Sequence, residues 1–290
     1  GRKPCLVEEV GSLGPMYSSE EVTAGFARAN LFTSWAYDCR GFLWWCANDQ
    51  AHLTKPPYDW SGLERELGLL RQDGTPKPVL KEMGEFARFI KSLPFGNLPA
   101  RTVEGVCILS RDQDFWGVAL SSFILARQAG FDIEFQYEEQ KLKESNFYML
   151  PCIRGGHVIN RRIWMELLGH VKEGATLYIS YDGGFLSQFE EVSGLRIKNR
   201  YRRKGETVVS LDGIQDGLRL TLGGQFKLDS KTAGADVLGR EEDGSPAFTC
   251  CVYGKGKIYF LSFPLELYII RQSGTFYGSG AQPYWQIYRR

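Results

Sequence analysis

The feature that most limits the fold of this chain is the small number of strand–helix units in residues 1–93. Residues 3–11 and 41–47 have the pattern of short buried strands. A helix at residues 18–37 lies between them, opened by a capping box of Ser18 and Glu21, and a second helix starts near Pro78. Two parallel strands leave open edges and half a core, so these units cannot stand alone. The pattern favours the closing part of an eight-fold β/α barrel, whose functional groups lie at the carboxyl ends of strands.

A different organisation follows residues 94–101, a linker with two prolines and one glycine. Strand and helix patterns alternate over residues 102–180, which predicts parallel βαβ units and a doubly wound sheet. From residue 195 onward, short β runs with turn signals predict added antiparallel strands. We therefore expect a barrel segment at 1–93, an α/β domain with added antiparallel β structure at 102–270, and a tail at 271–290 that leads to a further domain.

Composition excludes several classes of protein. Thirty-five Lys and Arg balance thirty-four Asp and Glu, and this net charge of +1 argues against a nucleic-acid partner. No apolar run is long enough to span a membrane. Seven scattered cysteines disfavour a disulfide framework and favour a reducing compartment, so we expect a cytoplasmic protein. Their spacing matches no zinc motif and no glycine loop would cradle a phosphate, so neither a metal nor an organic cofactor is expected.

Polar side chains follow both strands of the first segment. Glu8-Glu9 ends the first strand, and Asn48-Asp49-Gln50 follows the second, next to the pair Trp44-Trp45. A carboxylate beside an aromatic wall is what retaining glycoside hydrolysis requires from one of its two acids. Strand alternation lets only one residue of each adjacent pair point into a site. Asp49 is expected either to bond sugar hydroxyls or to cap the next turn, and His52 either to line the site or to be solvated.

Three phrases of the first segment, KPCLVEEVG, GFLWWCANDQ and ELGLLRQDGTPKP, resemble the last two strands of the cellulase-like clan of retaining β-glycosidases. The resemblance implies that Glu9, in a Glu-x-Gly motif, is the nucleophile and that Trp45 stacks on the sugar, with Asp49 and His52 as further sugar contacts. It implies a carbohydrate substrate.

Residues 103–266 resemble the amidotransferase-like domain that follows the barrel in β-galactosidases with a trimerisation domain. The phrases that carry this resemblance are LSRDQDFW, YMLP, VKEGATLYISYDGG and YGKGKIYFLSFPLE. The resemblance implies a homo-oligomer that assembles through this domain.

The chain departs from the glycosidase pattern in one respect that bears on activity. The clan's acid/base is a Glu preceded by Asn, and no Asn-Glu dipeptide occurs in the sequence. Six of the eight barrel strands are also missing. We therefore expect a fragment of a retaining β-glycosidase that is inactive alone.

Two alternatives to the glycosidase fragment come from other classes. The first is a non-catalytic module for oligomerisation or carbohydrate binding. The second is an amidotransferase-like enzyme, which would need a cysteine on a sharp turn after a strand together with a histidine and an acid. The expected turn at residues 179–184 has no cysteine, and Cys152 has no evident His–acid partners in the sequence.

Overall fold

The computed structural model describes residues 5–60, 62–213, 217–272 and 281–289. The chain divides into two compact units, residues 1–100 and 101–290. The predicted start of the first strand at Lys3 and Pro4, and residues 273–280 and 290 of the predicted tail, lie outside the described residues. Within the described ranges, no helix has the length and apolar character needed to cross a membrane.

The first unit contains two β/α pairs. Its elements are β1 (Cys5–Gly11), α1 (Glu20–Ala36), β2 (Cys39–Trp45) and α2 (Pro78–Ser92), with a 3₁₀ turn at Leu63–Glu66. The two strands pair in parallel, as a βαβ connection requires. The helix cap is Ser19 rather than the predicted Ser18, because Ser19 has extended backbone angles and its side chain accepts a bond from Val22 N. The Ser18 hydroxyl instead contacts the hydroxyl of Thr23 at 3.1 Å.

Helices α1 and α2 pack side by side through aromatic rings. The Phe32 ring lies 5.2 Å from the Phe86 ring and 5.1 Å from the Phe89 ring. Beside them, Arg28 on α1 bonds Glu82 on α2 at 3.2 Å. In β/α structures, neighbouring helices of this kind pack as a layer beside the strands.

The second unit is built on a nine-stranded mixed sheet in the order β4-β3-β5-β6-β13-β12-β11-β8-β9. Five strands at one end run parallel, and the other four are antiparallel. The strands of this sheet are β3 (Gly105–Leu109), β4 (Ile133–Tyr137), β5 (Phe147–Ile153), β6 (Thr176–Tyr181), β8 (Thr207–Leu211), β9 (Leu218–Leu222), β11 (Asp236–Glu241), β12 (Pro246–Tyr253) and β13 (Gly256–Leu261). The described helices are α3 (Phe115–Ala129), α4 (Arg161–Glu173), α5 (Phe189–Ser193) and α6 (Leu265–Ile270), with a 3₁₀ turn at Tyr284–Ile287.

The large sheet has a hydrophobic core on each face. On β3, Val106 and Ile108 join the cluster under α4, while Cys107 and Leu109 join the cluster under α3 and α6. All five residues of β3 are buried, as in a parallel strand covered on both sides. The prediction of a mixed α/β fold with a large sheet is confirmed. The cap of α3, for which the sequence offers Asp112 or Asp114, is Asp114, which accepts a bond from Gly117 N at 3.0 Å.

A separate two-stranded ribbon was not predicted. It pairs β7 (Leu195–Arg202) with β10 (Phe226–Thr232) in antiparallel fashion. Most of β7 is exposed and polar. One face of the ribbon packs on the core through Leu195, Ile197, Phe226 and Leu228. These residues alternate with polar ones, but alternation does not show that the two strands pair with each other apart from the large sheet.

Candidate active site

The predicted nucleophile lies in a β-bulge of β1. Glu8 and Glu9 together lie opposite a single residue of β2, Leu43, and both carboxylates are exposed. The flanking cross-strand pairs are Val7 with Phe42 and Val10 with Trp44. The strict alternation used to send Glu8 to the opposite face therefore does not hold here, because a bulge adds one residue to one strand only. The pairing of β1 with β2 therefore does not show to which face of the sheet each of the two glutamate side chains points.

Gly11 lets β1 and β2 approach each other at their carboxyl ends. Gly11 is the register partner of Trp45, and a Cβ on it would lie 2.9 Å from the Trp45 carbonyl oxygen. That separation is too short for a side chain, so glycine is required at this close approach. The glycine of the Glu-x-Gly motif thus has a packing role that can be read from the geometry.

The two tryptophans of β2 lie on opposite faces, as predicted. Trp44 stacks near Phe42 with ring centroids 6.3 Å apart, and Trp45 is 42% exposed on the other face. Trp45 is the last residue of β2, and the peptide bond between Trp45 and Cys46 is cis. Since the strands are parallel, Glu9 near the end of β1 and Trp45 at the end of β2 lie at the same edge of the sheet.

Asp49 is held by protein groups. Its Oδ1 accepts bonds from Lys77 Nζ at 2.7 Å and from Gly68 N at 2.9 Å, and its backbone N donates to Leu70 O. The Lys77 ammonium also donates to Glu66 O at 2.8 Å. Both charged side chains are nearly buried, with exposed fractions of 11% and 10%. Of the two expectations for Asp49, this geometry is that of the cap, since the carboxylate fixes the following loop against the end of β2.

The phrase DGTPKP forms the start of α2 in three steps. The Asp73 carboxylate accepts bonds from Thr75 N and Thr75 Oγ1, which closes a turn around Gly74 at a φ of 82°. Lys77 then carries the ion pair to Asp49, and Pro78 occupies the first turn of α2, where a missing N–H costs nothing. The combination of residue types is therefore explained by turn, ion pair and helix start.

Gly68 explains another part of the resemblance. A Cβ at this position would lie 2.2 Å from Asp49 N and 2.3 Å from Asn48 C. The loop backbone therefore passes directly over the backbone that leaves β2, and only glycine fits. The loop and the strand end form one rigid piece.

We expect Asp49→Ala to lower the free energy of unfolding of the first unit by about 3–5 kcal/mol, because it leaves the buried Lys77 ammonium without its partner. The matched control is Glu82→Ala, which breaks the partly exposed pair with Arg28 and should cost at most about 1 kcal/mol. Urea unfolding followed by tryptophan fluorescence measures both. Equal losses in the two variants would contradict this role of Asp49.

His52 lies in an exposed turn after β2. A cavity of about 690 Å³ in the first unit is lined by the first turn of α1, the loop around Arg71 and Asp49. Glu9, Trp45 and His52 are not among its lining residues. Glu9 and Trp45 are both exposed. Within the described ranges, no three His, Cys, Asp or Glu side chains form a group that could hold a metal ion.

Among the described non-glycine residues of the second unit, Cys152 and Gln188 have a positive φ, and neither lies in the predicted turn at 179–184. Cys152 has a φ of 47° near the end of β5 and is fully buried. Its Sγ lies 3.2 Å from Glu266 Oε2 and accepts a bond from Leu267 N. Burial, and then the charge of Glu266, raise the pKa of the Cys152 thiol well above its usual value. The thiol therefore stays protonated, whereas a nucleophilic cysteine must be a thiolate.

The sequence shows no His–acid pair beside Cys152, and the structure places an acid alone there, Glu266. Glu266 is fully buried, and its carboxylate also accepts bonds from Ser180 Oγ at 2.6 Å and Tyr288 OH at 2.7 Å. No histidine contributes to this network among the described residues. A buried carboxylate satisfied by three donors stabilises the junction of β5, β6 and α6. This network could not be predicted from the sequence, because Cys152, Ser180 and Tyr288 lie 114, 86 and 22 residues from Glu266 and no local motif connects them.

Comparison with known proteins shows the fold of the chain. No protein family model matches it, and no curated protein matches it. Among solved structures, the exo-β-1,4-mannosidase Op5Man5 from Opitutaceae bacterium strain TAV5 matches with a TM-score of 0.68 at 18% identity. That match covers 93% of this chain and 49% of the mannosidase.

Two β-galactosidases have the same arrangement of elements over most of the chain. The enzyme from Halorubrum lacusprofundi matches with a TM-score of 0.61 at 12% identity, over 90% of this chain and 41% of that one. The enzyme from Bacillus circulans sp. alkalophilus gives 0.57 at 12% identity, over 84% and 40%. The structural neighbours are thus glycoside hydrolases, and the chain spans half their length or less. At these identities, the likeness establishes a shared mixed α/β fold.

Proposed function

We propose that this chain is part of a retaining β-glycoside hydrolase that cleaves O-glycosidic bonds by double displacement. In this proposal β1 and β2 are the seventh and eighth strands of a (β/α)₈ barrel, within residues 1–93. Residues 102–270 form an amidotransferase-like domain, and residues 94–101 link it to the barrel segment. Residues 271–290 follow this domain as a tail. The fold shared with a mannosidase and several β-galactosidases supports this assignment.

One observation carries the proposal. Glu9 and Trp45 lie near the carboxyl ends of two adjacent parallel strands. The carboxyl ends of barrel strands are where functional groups of this fold converge. A carboxylate and an exposed indole at that edge provide a nucleophile and an apolar face for a sugar ring.

The chemistry follows from these two side chains. The ionised Glu9 carboxylate attacks the anomeric carbon, the bond to the leaving oxygen breaks, and a glycosyl–enzyme ester forms. Water then attacks the same carbon and releases Glu9, so two inversions give net retention. The Trp45 indole holds the apolar face of the sugar, and the loop fixed by Asp49 and Lys77 supports the end of β2.

A second carboxylate must donate a proton to the leaving group and later take one from water. In retaining enzymes the two carboxyl groups lie about 5–5.5 Å apart. No Asn-Glu dipeptide occurs in this chain, so we assign that residue to barrel strands outside it. By itself the chain is then an inactive fragment.

The second unit is proposed to act in assembly. Its buried Cys152 thiol has neither the exposure nor the thiolate character that amidotransfer requires. Because residues 103–266 resemble a trimerisation domain, we propose that the second unit mediates homo-oligomerisation. The scattered cysteines support the further proposal of a cytoplasmic enzyme. Sedimentation measures the oligomeric state directly.

The intact protein tests the proposed reaction. We expect it to hydrolyse aryl β-mannosides or aryl β-galactosides and to release the β-anomer first, as followed by proton NMR. Release of the α-anomer first would exclude a covalent intermediate on Glu9. An intact protein that binds sugars without hydrolysing them would instead support a non-catalytic carbohydrate-binding module.

A further inference from the structure

A second crevice lies in the second unit, at the carboxyl ends of β6 and β13. It has a volume of about 430 Å³, within the range of small-molecule sites. Asp182, directly after β6, and Pro264, shortly after β13, form part of its lining. In open α/β sheets, ligands bind in crevices at this end of the strands. Neither the proposed catalytic residues nor the assembly role uses this crevice.

Asp182 is the unusual group in the crevice. Its side chain is 3% exposed, and none of the described residues donates a hydrogen bond to its carboxylate. The nearest cation, Arg154, has its Nη1 at 3.8 Å, beyond hydrogen-bond distance. Burial raises the pKa of Asp182, while Arg154 and Arg271 oppose that rise. A buried carboxylate without donors is costly, and a ligand that supplies a donor would remove this cost.

The charges around the crevice are balanced. Arg203 is neutralised by Glu241 through bonds of 2.6 and 2.9 Å, and both side chains are buried. The remaining charged side chains among the described lining residues are two carboxylates and two cations, Asp182, Glu206, Lys204 and Arg271. A lining with two negative and two positive charges suits a ligand that has no net charge and carries groups that both donate and accept hydrogen bonds.

The rest of the lining is fixed and leaves backbone accessible. Glu206 is held by Tyr268 OH at 2.9 Å and by Gln272 Nε2 at 3.3 Å. Gly223 and Gly224 form one wall, and a Cβ on Gly224 would lie 2.8 Å from Pro264. The Tyr268 ring adds an apolar surface next to these polar groups. A preformed lining of this kind lowers the cost of binding.

We propose that this crevice binds a neutral polyhydroxylated ligand, a mono- or disaccharide, with a sugar hydroxyl donating to the Asp182 carboxylate. Further hydroxyl oxygens accept bonds from Lys204 and Arg271. The site is separate from the proposed catalytic edge, since all its residues belong to the second unit. It is therefore independent of whether Glu9 is the nucleophile.

Saturation-transfer NMR on the full chain tests the proposal with mannose, galactose, mannobiose and lactose as probes. We expect at least one of these sugars to bind, and Asp182→Asn to weaken its affinity by about tenfold or more. Arg271→Ala, at an exposed position, should weaken it in the same direction. The matched control Asp229→Asn, on β10 and away from the crevice, should bind as the parent does. Trp45→Ala removes the indole of the proposed catalytic edge and therefore reports sugar binding at the first unit separately from binding in the crevice.

Three outcomes would overturn the proposal. The first is that none of the four sugars binds. The second is that affinity is unchanged in both Asp182→Asn and Arg271→Ala while their circular dichroism is native. The third is that only a free amino acid such as glycine or glutamine binds. Loss of binding in Trp45→Ala but not in Asp182→Asn would place the sugar at the first unit instead. That last result would contradict the sugar site in the second unit but not the proposed glycosidase function. The experiment therefore distinguishes failure of one proposal from failure of the other.

Discussion

Replacing Glu9 by Gln in the intact protein is expected to lower kcat by about 10³-fold or more, equivalent to about 4 kcal/mol of transition-state stabilisation. Gln keeps the size of the side chain but cannot form the glycosyl ester, and it removes the charge that stabilises the oxocarbenium-like transition state. Glu9 is exposed on β1, so the fold should tolerate the change. Initial rates on an aryl β-glycoside, with circular dichroism as a check on folding, measure the effect.

Glu8→Gln is the matched control for this experiment, because Glu8 is the neighbouring glutamate in the same bulge. We expect a far smaller loss of kcat, since Glu9 is the residue that precedes Val-Gly in the motif. Because of the bulge, strand alternation does not assign Glu8 and Glu9 to opposite faces, so the two variants must be compared by experiment. Equal losses in both variants would show that the two carboxylates act together and would contradict a single nucleophile at Glu9.

The 290-residue chain alone is expected to hydrolyse no aryl β-glycoside. Loss of a general acid typically removes 10²- to 10⁴-fold in rate. Here Glu9 and Trp45 are also exposed, and in the proposed barrel the other six strands supply the remaining contacts to the sugar. The assay compares the purified chain with its own Glu9→Gln variant at high enzyme concentration. Turnover that disappears in the variant would refute the assignment of the chain as an inactive fragment.

Sequence patterns predicted the elements whose residues are half or fully buried. The parallel strands β3 to β6 and the helices α3 and α4 follow from apolar periodicity, because both faces of that sheet are covered. The cap at Asp114 follows from the residue type. The pairing of β7 with β10 could not be predicted in this way, because alternation marks each strand but not its partner, and β8 and β9 lie between the two in the chain.

Site features that depend on distant or local geometry were less predictable. The bulge at Glu8 and Glu9 is an insertion in the pairing register, which one strand's sequence does not show. The contact of Cys152 with Glu266 joins positions that no local motif connects. By contrast, the loop that follows β2 can be predicted from the sequence, because its fold requires these residue types. Gly68 is needed for a close backbone approach, Asp73 for hydrogen bonds and Lys77 for an ion pair.

The central claim is that β1 carries the nucleophile of a retaining β-glycosidase. A 2-fluoro glycoside that forms a slow-hydrolysing ester, applied to the intact protein and followed by peptide mass spectrometry, tests it most directly. We expect one added glycosyl group, located on Glu9 and absent from the Glu9→Gln variant. A label on any other residue, Glu8 included, or no label under conditions in which the enzyme is inactivated, would contradict it.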